Sequence, residues 1–292
     1  MDAIEAWQAR GTYETLRGRR IFTIDRPADR ETPAPPVLIL HGFPSCSFDW
    51  RRVIDRIGAT RRVLLLDFLG FGLSAKPLDH PFSLFEQADI ARAFIEVLGL
   101  DEISLVTHDM GDSIGGEVLA RDLDGALPFN VRARVVTNGS IYMDLVRLSA
   151  GQELLLSMPD EVLAVDQAPN RELFEASLAA TFGAASQPGA EELEAQWRLL
   201  EREGGNRILP RLIRYVEERR RFEDRWTGAI EQHPAALTIV WGDADPIAVY
   251  AMAERLHAAR PGSTLERLHD IGHYPMIEAP ERFERAIDTA LP

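Results

Sequence analysis

Cysteine is nearly missing: Cys46 is the single one in 292 residues, so no disulfide can form within the chain. That fits a reducing compartment and makes the cytoplasm the expected location. Positive charge is also short, since 32 Lys and Arg against 46 Asp and Glu leave a net charge of −14. Such a surface repels phosphate backbones and anionic lipid, so neither nucleic acid nor a membrane is an expected partner. Apolar residues make up 46% of the chain, yet no long apolar run occurs, which argues for a buried core and against a membrane span. Met1–Arg20 lacks the apolar stretch of a secretory signal. Seven histidines and one cysteine show no metal-ligand spacing, so no metal and no cofactor is expected. The basic run Glu218-Arg219-Arg220-Arg221 reads as a solvated helix face.

What is present is an alternation of strand-like and helix-like segments, the mark of an α/β fold with a mostly parallel sheet. Strand candidates are Thr12–Leu16, Arg20–Asp25, Val37–Leu40, Val63–Asp67, Ile103–Val106 and Arg134–Thr137. Helical periodicity fills gaps at Phe82–Leu98 and Asp112–Leu123. From about Tyr142 to Gln232 no strand is apparent, only helical stretches broken by Pro159, Gly183, Pro188 and Gly204-Gly205. The alternation then resumes with strands at Ala236–Trp241 and Thr264–Leu268 and helices near Val249–Ala259 and from Pro280. The expected division is a core over 1–140 and 232–292, with a helical cap over 141–231. Such a cap would cover the carboxyl edge of the sheet, where open α/β folds bind ligands.

Two nucleophile candidates compete within THDMGDSIGG, Thr107–Gly116. Gly111–Gly115 fits the G-x-S-x-G pattern around Ser113. Thr107–Gly111 is the same kind of turn with Asp109 at its apex. A nucleophile elbow joins a strand directly to a helix. Asp109 lies three residues past the strand candidate, while Ser113 falls a turn later, inside the helix. Distance from the strand favours Asp109, although Ser113 has matching glycines.

The partners come from later loops. Asp245 in GDADP is the expected acid, because Pro246 fixes the loop after it, with Asp243 as its rival. His273 in GHYP stands beyond a glycine, where a base can project, and His269 reads as structural. In HGFP, residues 41–44, the Phe43 N–H is one expected oxyanion donor, and the Met110 N–H is the other. A cis Phe43-Pro44 bond is expected, to aim that N–H into the site.

HGFP at 41–44, DFLGFGLSAKP at 67–77, THDMGD at 107–112, WGDADP at 241–246 and GHYP at 272–275 carry a resemblance. They are similar to the epoxide-hydrolase and haloalkane-dehalogenase branch of the α/β-hydrolase superfamily. DFLGFG, FEQA, NGSIY at 138–142 and RYVEERRRFEDRWTGAI at 214–230 resemble most the mesoderm-specific transcript group within it. The resemblance spans nearly the whole chain. It implies the α/β-hydrolase fold, Asp109 as nucleophile and the pair Asp245–His273. Dehalogenases of the branch usually place a halide-holding tryptophan after the nucleophile, where this chain has Met110. Epoxide hydrolases protonate the opening oxygen with cap tyrosines, for which Tyr215 and Tyr142 are available. Ile208, Tyr215 and Phe222, spaced by seven, form one helical row beside a stripe of Leu209, Leu212, Ile213 and Val216. Tyr215 therefore reads either as the acid or as packing.

The expectation is a cofactor-free epoxide hydrolase using Asp109, Asp245, His273 and Tyr215. His41, Tyr142 and Trp197 are the expected substrate contacts, Trp197 also serving if the leaving group is halide. Expected partners are a small apolar molecule and water, with a homodimer left open. The rivals are a dehalogenase with the same triad, a serine esterase through Ser113, and a non-catalytic binding protein.

Overall fold

In the computed structural model, which describes residues 1–30 and 32–292, eight strands form one sheet. They are β1 (Thr12–Leu16), β2 (Arg19–Arg26), β3 (Val37–Leu40), β4 (Val63–Leu66), β5 (Glu102–His108), β6 (Asn130–Thr137), β7 (Ala236–Gly242) and β8 (Thr264–Leu268). Their order is β1-β2-β4-β3-β5-β6-β7-β8. Only β2 runs antiparallel to its neighbours, β1 and β4; every other pairing is parallel. All of β3 and β4 is buried, as expected for strands covered by helices on both faces.

Each expected strand is present, but two were read too short by three or more residues. β5 continues through Thr107 and His108, which pair with Val136 and Thr137 of β6. β6 begins at Asn130, four residues before the expected start. Asp109 therefore follows its strand directly rather than at a distance of three residues. Turn-forming side chains hid strand backbone whose hydrogen bonds are made by the neighbouring strand.

The helix Met110–Leu123 starts immediately after Asp109. Asp109 itself takes φ 50° and ψ −113°, a conformation that costs a non-glycine residue of order 1–3 kcal/mol and persists only where the surroundings impose it. The surroundings here are tight. A Cβ on Gly111 would lie 2.4 Å from the Leu40 carbonyl oxygen and 2.7 Å from that of His41. Only a bare backbone lets this helix cross β3 so closely.

Between β6 and β7 the regular structure is entirely helical, as expected. The segments are Ala150–Ser157, Arg171–Ala179, Ala190–Glu201, Arg202–Ile208, Leu209–Leu212, Tyr215–Arg221 and Glu223–Gln232. The expected division at 231 cuts across a core layer, because Glu223–Gln232 packs along Met110–Leu123. There Trp226 Nε1 donates to Glu117 at 2.9 Å, and Trp226 Cβ would meet a Cβ on Gly116 at 2.9 Å. The single helix expected through Ile208, Tyr215 and Phe222 is in fact three pieces. Pro210 opens the piece Leu209–Leu212, and a turn at Ile213 and Arg214 separates it from Tyr215–Arg221. The solvated face expected at 218–221 is also corrected: Arg220 and Arg221 are exposed, but Arg219 is 4% exposed.

Polar ties hold the helical block to the core. Gln196 donates to Asp49 at 2.7 Å, Ser83 donates to Glu218 at 2.7 Å, and Arg51 pairs with Glu192.

Replacing Gly111 by alanine forces the elbow apart and should cost roughly 1–3 kcal/mol, the usual range for an overpacked interior. Gly262→Ala, which meets nothing within 4 Å, should stay within about 0.5 kcal/mol of the parent. Denaturant unfolding of the two variants checks this; equal midpoints would remove the close-approach explanation.

Candidate active site

Three loops at the carboxyl ends of strands bring the candidate triad together. Asp109 follows β5, Asp245 lies three residues beyond β7, and His273 stands in the loop after β8. His273 Nδ1 is 2.7 Å from Asp245 Oδ2. The other Asp245 oxygen accepts from the Ile247 and Ala248 N–H groups at 2.8 and 3.0 Å. Asp243 does not take this place. It is a half-buried turn former bonded to Arg267, His269 and the Asp270 N–H. His269 is exposed and structural, as expected.

His273 is buried, and desolvation alone would lower its pKa. The Asp245 charge and hydrogen bond, followed by the Asp109 charge, outweigh burial and raise it to about 9. Asp245 thus fixes the ring through Nδ1, leaving Nε2 to face a reacting group.

The two expected oxyanion donors, the Phe43 and Met110 N–H groups, lie beside Asp109. Phe43-Pro44 is cis, as expected. The Phe43 N–H donates to Asp109 Oδ2 at 2.8 Å. Met110 opens its helix, so its N–H has no acceptor within that helix.

Ser113 is placed otherwise. It sits inside the helix, and its hydroxyl accepts from Arg219 Nε at 2.6 Å. It faces a small polar void shared with Asp112, Ser140 and Arg219, and among the described residues no hydrogen bond joins it to His273. The same guanidinium reaches the Asp109 carbonyl at 3.3 Å through Nη2 and lies 5.0 Å from the Tyr215 ring centroid. Arg219 therefore ties the insertion to the elbow.

A pocket of about 730 Å³, part of it open to solvent, lies above His273. Phe43 and Tyr274 line its inner part, and Leu155, Phe174, Leu178 and Leu209 form apolar wall. Tyr215 packs against Phe43, with ring centroids 5.4 Å apart. Gln152 also lines the cavity, and its Oε1 is taken by the Ser149 N–H at 2.9 Å. Burial first, and then the Asp109 charge, push the Tyr215 hydroxyl far up, so it is protonated at neutral pH.

The three expected substrate contacts lie off the cavity wall. His41 is locked below it: one ring nitrogen is 2.8 Å from the Gly42 carbonyl, and the other accepts from the Phe68 N–H at 2.9 Å. Burial lowers its pKa to about 3, so it holds the loop as a neutral ring. Tyr142 donates to Glu231 at 2.8 Å and carries the Arg255 guanidinium on its ring. Trp197 stands behind Phe174, 5.7 Å away between centroids.

Several positioning residues were not anticipated. Asn138, at φ 44° after β6, donates to Asp245 at 2.8 Å and accepts from the Gly242 N–H at 2.9 Å. Asparagine tolerates that backbone conformation, the one signal that might have singled it out. His108 is 2.8 Å from the His273 carbonyl through Nε2 and is kept neutral by burial, its pKa lowered to about 4. Nothing local in the sequence marks that contact.

The family model for the alpha/beta hydrolase fold matches residues 35–280, and the chain belongs to that family. It is 38% identical to the putative hydrolase LipZ of Mycobacterium tuberculosis, over 97% of this chain and 96% of that one. It is 33% identical to the mesoderm-specific transcript protein of Mus musculus, over 97% and 86%. Among solved structures, the meta-cleavage product hydrolase of Pseudomonas fluorescens IP01 superposes with a TM-score of 0.77 at 19% identity, over 95% and 96%. These matches support a hydrolase activity. No helix of the described residues is long and apolar enough to cross a membrane.

The site predicts a pH dependence. His273 must be neutral to activate water, and its raised pKa of about 9 owes part of the rise to the Asp109 charge. An ester on Asp109 removes that charge, so His273 then titrates lower. Ester hydrolysis should therefore quicken with rising pH through a pKa below about 9, while formation of the ester should not follow that titration. Rapid-quench measurement of both steps tests it; a hydrolysis rate indifferent to pH would remove His273 as the base.

Proposed function

We propose that the protein is a cofactor-free epoxide hydrolase acting on small apolar epoxides. Asp109 attacks the less hindered epoxide carbon and forms an alkyl ester, while Tyr215 protonates the opening oxygen. His273, oriented by Asp245, then draws a proton from water, which attacks the ester carbonyl. The Phe43 and Met110 N–H groups stabilise the resulting oxyanion. The product is a vicinal diol.

One observation carries this reading. The buried Tyr215 ring packs on Phe43, the residue whose N–H holds the Asp109 carboxylate, and burial together with the Asp109 charge keeps its hydroxyl protonated for a leaving oxygen. A halide needs a neutral donor to hold it and no proton. Among the described residues no tryptophan lines the cavity, and Met110 follows the proposed nucleophile. Fold alone leaves the chemistry open, so the choice rests on these side chains.

Styrene oxide, a bromoalkane and a p-nitrophenyl ester assayed side by side separate the readings. The account expects turnover of the epoxide above the other two. Tyr215→Phe should slow alkylation by the epoxide at least about ten-fold, since general acid help is worth roughly 10²–10⁴. Hydrolysis of the ester should be spared. Epoxide turnover unchanged in Tyr215→Phe would assign Tyr215 to packing, and preference for the bromoalkane would assign the protein to dehalogenation.

A further inference from the structure

The pocket wall is apolar apart from a few polar side chains, most of which are already engaged. Ser177 and Thr181 turn their protons back to the chain, donating to the Leu173 and Leu178 carbonyls at 2.8 and 2.7 Å. Ser149, half-buried, caps the helix Ala150–Ser157. His273 and Tyr274 belong to the inner end. One group on the wall of the helical insertion remains, the amide of Gln152.

Gln152 is 9% exposed and lines the pocket. It is the third residue of its helix and closes a capping box with Ser149. Its backbone N–H donates to Ser149 Oγ at 3.2 Å, and its Oε1 accepts from the Ser149 N–H at 2.9 Å. An N–H needs an oxygen opposite it, so the box decides which end of the amide faces the helix start. The NH₂ end is the other one, with two protons to donate. Among the described residues no hydrogen bond takes either of them. Native structures leave few buried donors without an acceptor, and each calls for an explanation.

Building on the epoxide-hydrolase reading, we propose that Gln152 is a specificity residue that selects epoxides carrying a neutral carbonyl group on their chain. The NH₂ group donates to the carbonyl oxygen, while the apolar part of the chain lies against Leu155, Phe174, Leu178 and Leu209. A plain hydrocarbon chain leaves the amide unpaired in an apolar wall. A site built around a hydrogen bond discriminates in this way against the analogue that lacks it. A carboxylate does not fit the same place. Among the described residues no lysine or arginine lines the pocket, and His273 is already paired with Asp245 at 2.7 Å. A carboxylate buried there would have no cation of its own, which is strongly unfavourable.

The contact is made to a part of the substrate that does not react, so it holds ground state and transition state alike. Losing such a contact raises KM and leaves kcat nearly as it was. A merely structural role for Gln152, through the start of its helix, would slow every epoxide to the same degree.

The test is turnover of terminal epoxydecane beside its ketone analogues, which carry one carbonyl at successive positions along the chain. The parent should prefer one ketone position over epoxydecane by about ten-fold in kcat/KM, mostly through KM. Gln152→Met keeps the length of the side chain and removes its donor, and should bring that ratio to about one. Gln152→Glu keeps an oxygen for the Ser149 N–H, and with it the capping box, yet should lose the preference too. Ser149→Ala weakens the same helix start while leaving the amide, and should retain the preference. Equal turnover of ketones and epoxydecane by the parent overturns the proposal and leaves the epoxide reading standing. So does a preference that survives in both Gln152 variants, or one that Ser149→Ala abolishes as fully. No turnover of any of these epoxides by the parent overturns both.

Discussion

The turn at Asp109 is the constraint on which the rest of the site depends. A strand must end and a helix begin with one residue between them, and that residue carries the candidate nucleophile at positive φ. The neighbours pay for it: a glycine where the helix crosses β3, and a hydrogen bond from Phe43 to the carboxylate itself. The strain is stored where chemistry is proposed, which is the usual place for it.

Arg219 extends that constraint into the helical insertion. Its guanidinium bonds the Asp109 carbonyl and the Ser113 hydroxyl while facing the Tyr215 ring. One buried cation thereby fixes the distance between elbow and roof, and it engages the serine that competes in the sequence pattern. Nearby Asp112 shares the burial. Desolvation raises its carboxyl pKa well above the usual range despite a hydrogen bond from Thr107. Without its long side chain, Arg219 would leave a polar void behind the nucleophile with nothing to span it.

Much of this was legible in the sequence. Strand identities, the all-helical block, the triad candidates and the Phe43 loop all rest on local signals, namely short Val/Ile/Leu runs and the turn residues after them. What was hidden depends on distant partners. Thr107 and His108 look like turn formers, yet β6 makes them strand. Arg219 looks solvated within a basic run, yet tertiary packing turns one residue of that run inward. His41, Tyr142 and Trp197 were placed on the substrate by residue type, and each finds its partner elsewhere. Aromatic and polar identity indicates what a side chain can do, while only the fold decides which surface it meets.

The central claim is that Asp109, not Ser113, takes the covalent bond. If it does, water attacks the ester at the aspartate carbonyl, and the new oxygen enters the carboxylate. A single turnover with excess protein in ¹⁸O-water, followed by proteolysis and mass spectrometry, reads this directly. The account predicts label on the peptide containing Asp109 and an unlabelled first diol. Label in the first diol alone, with the Asp109 peptide unlabelled, would contradict it.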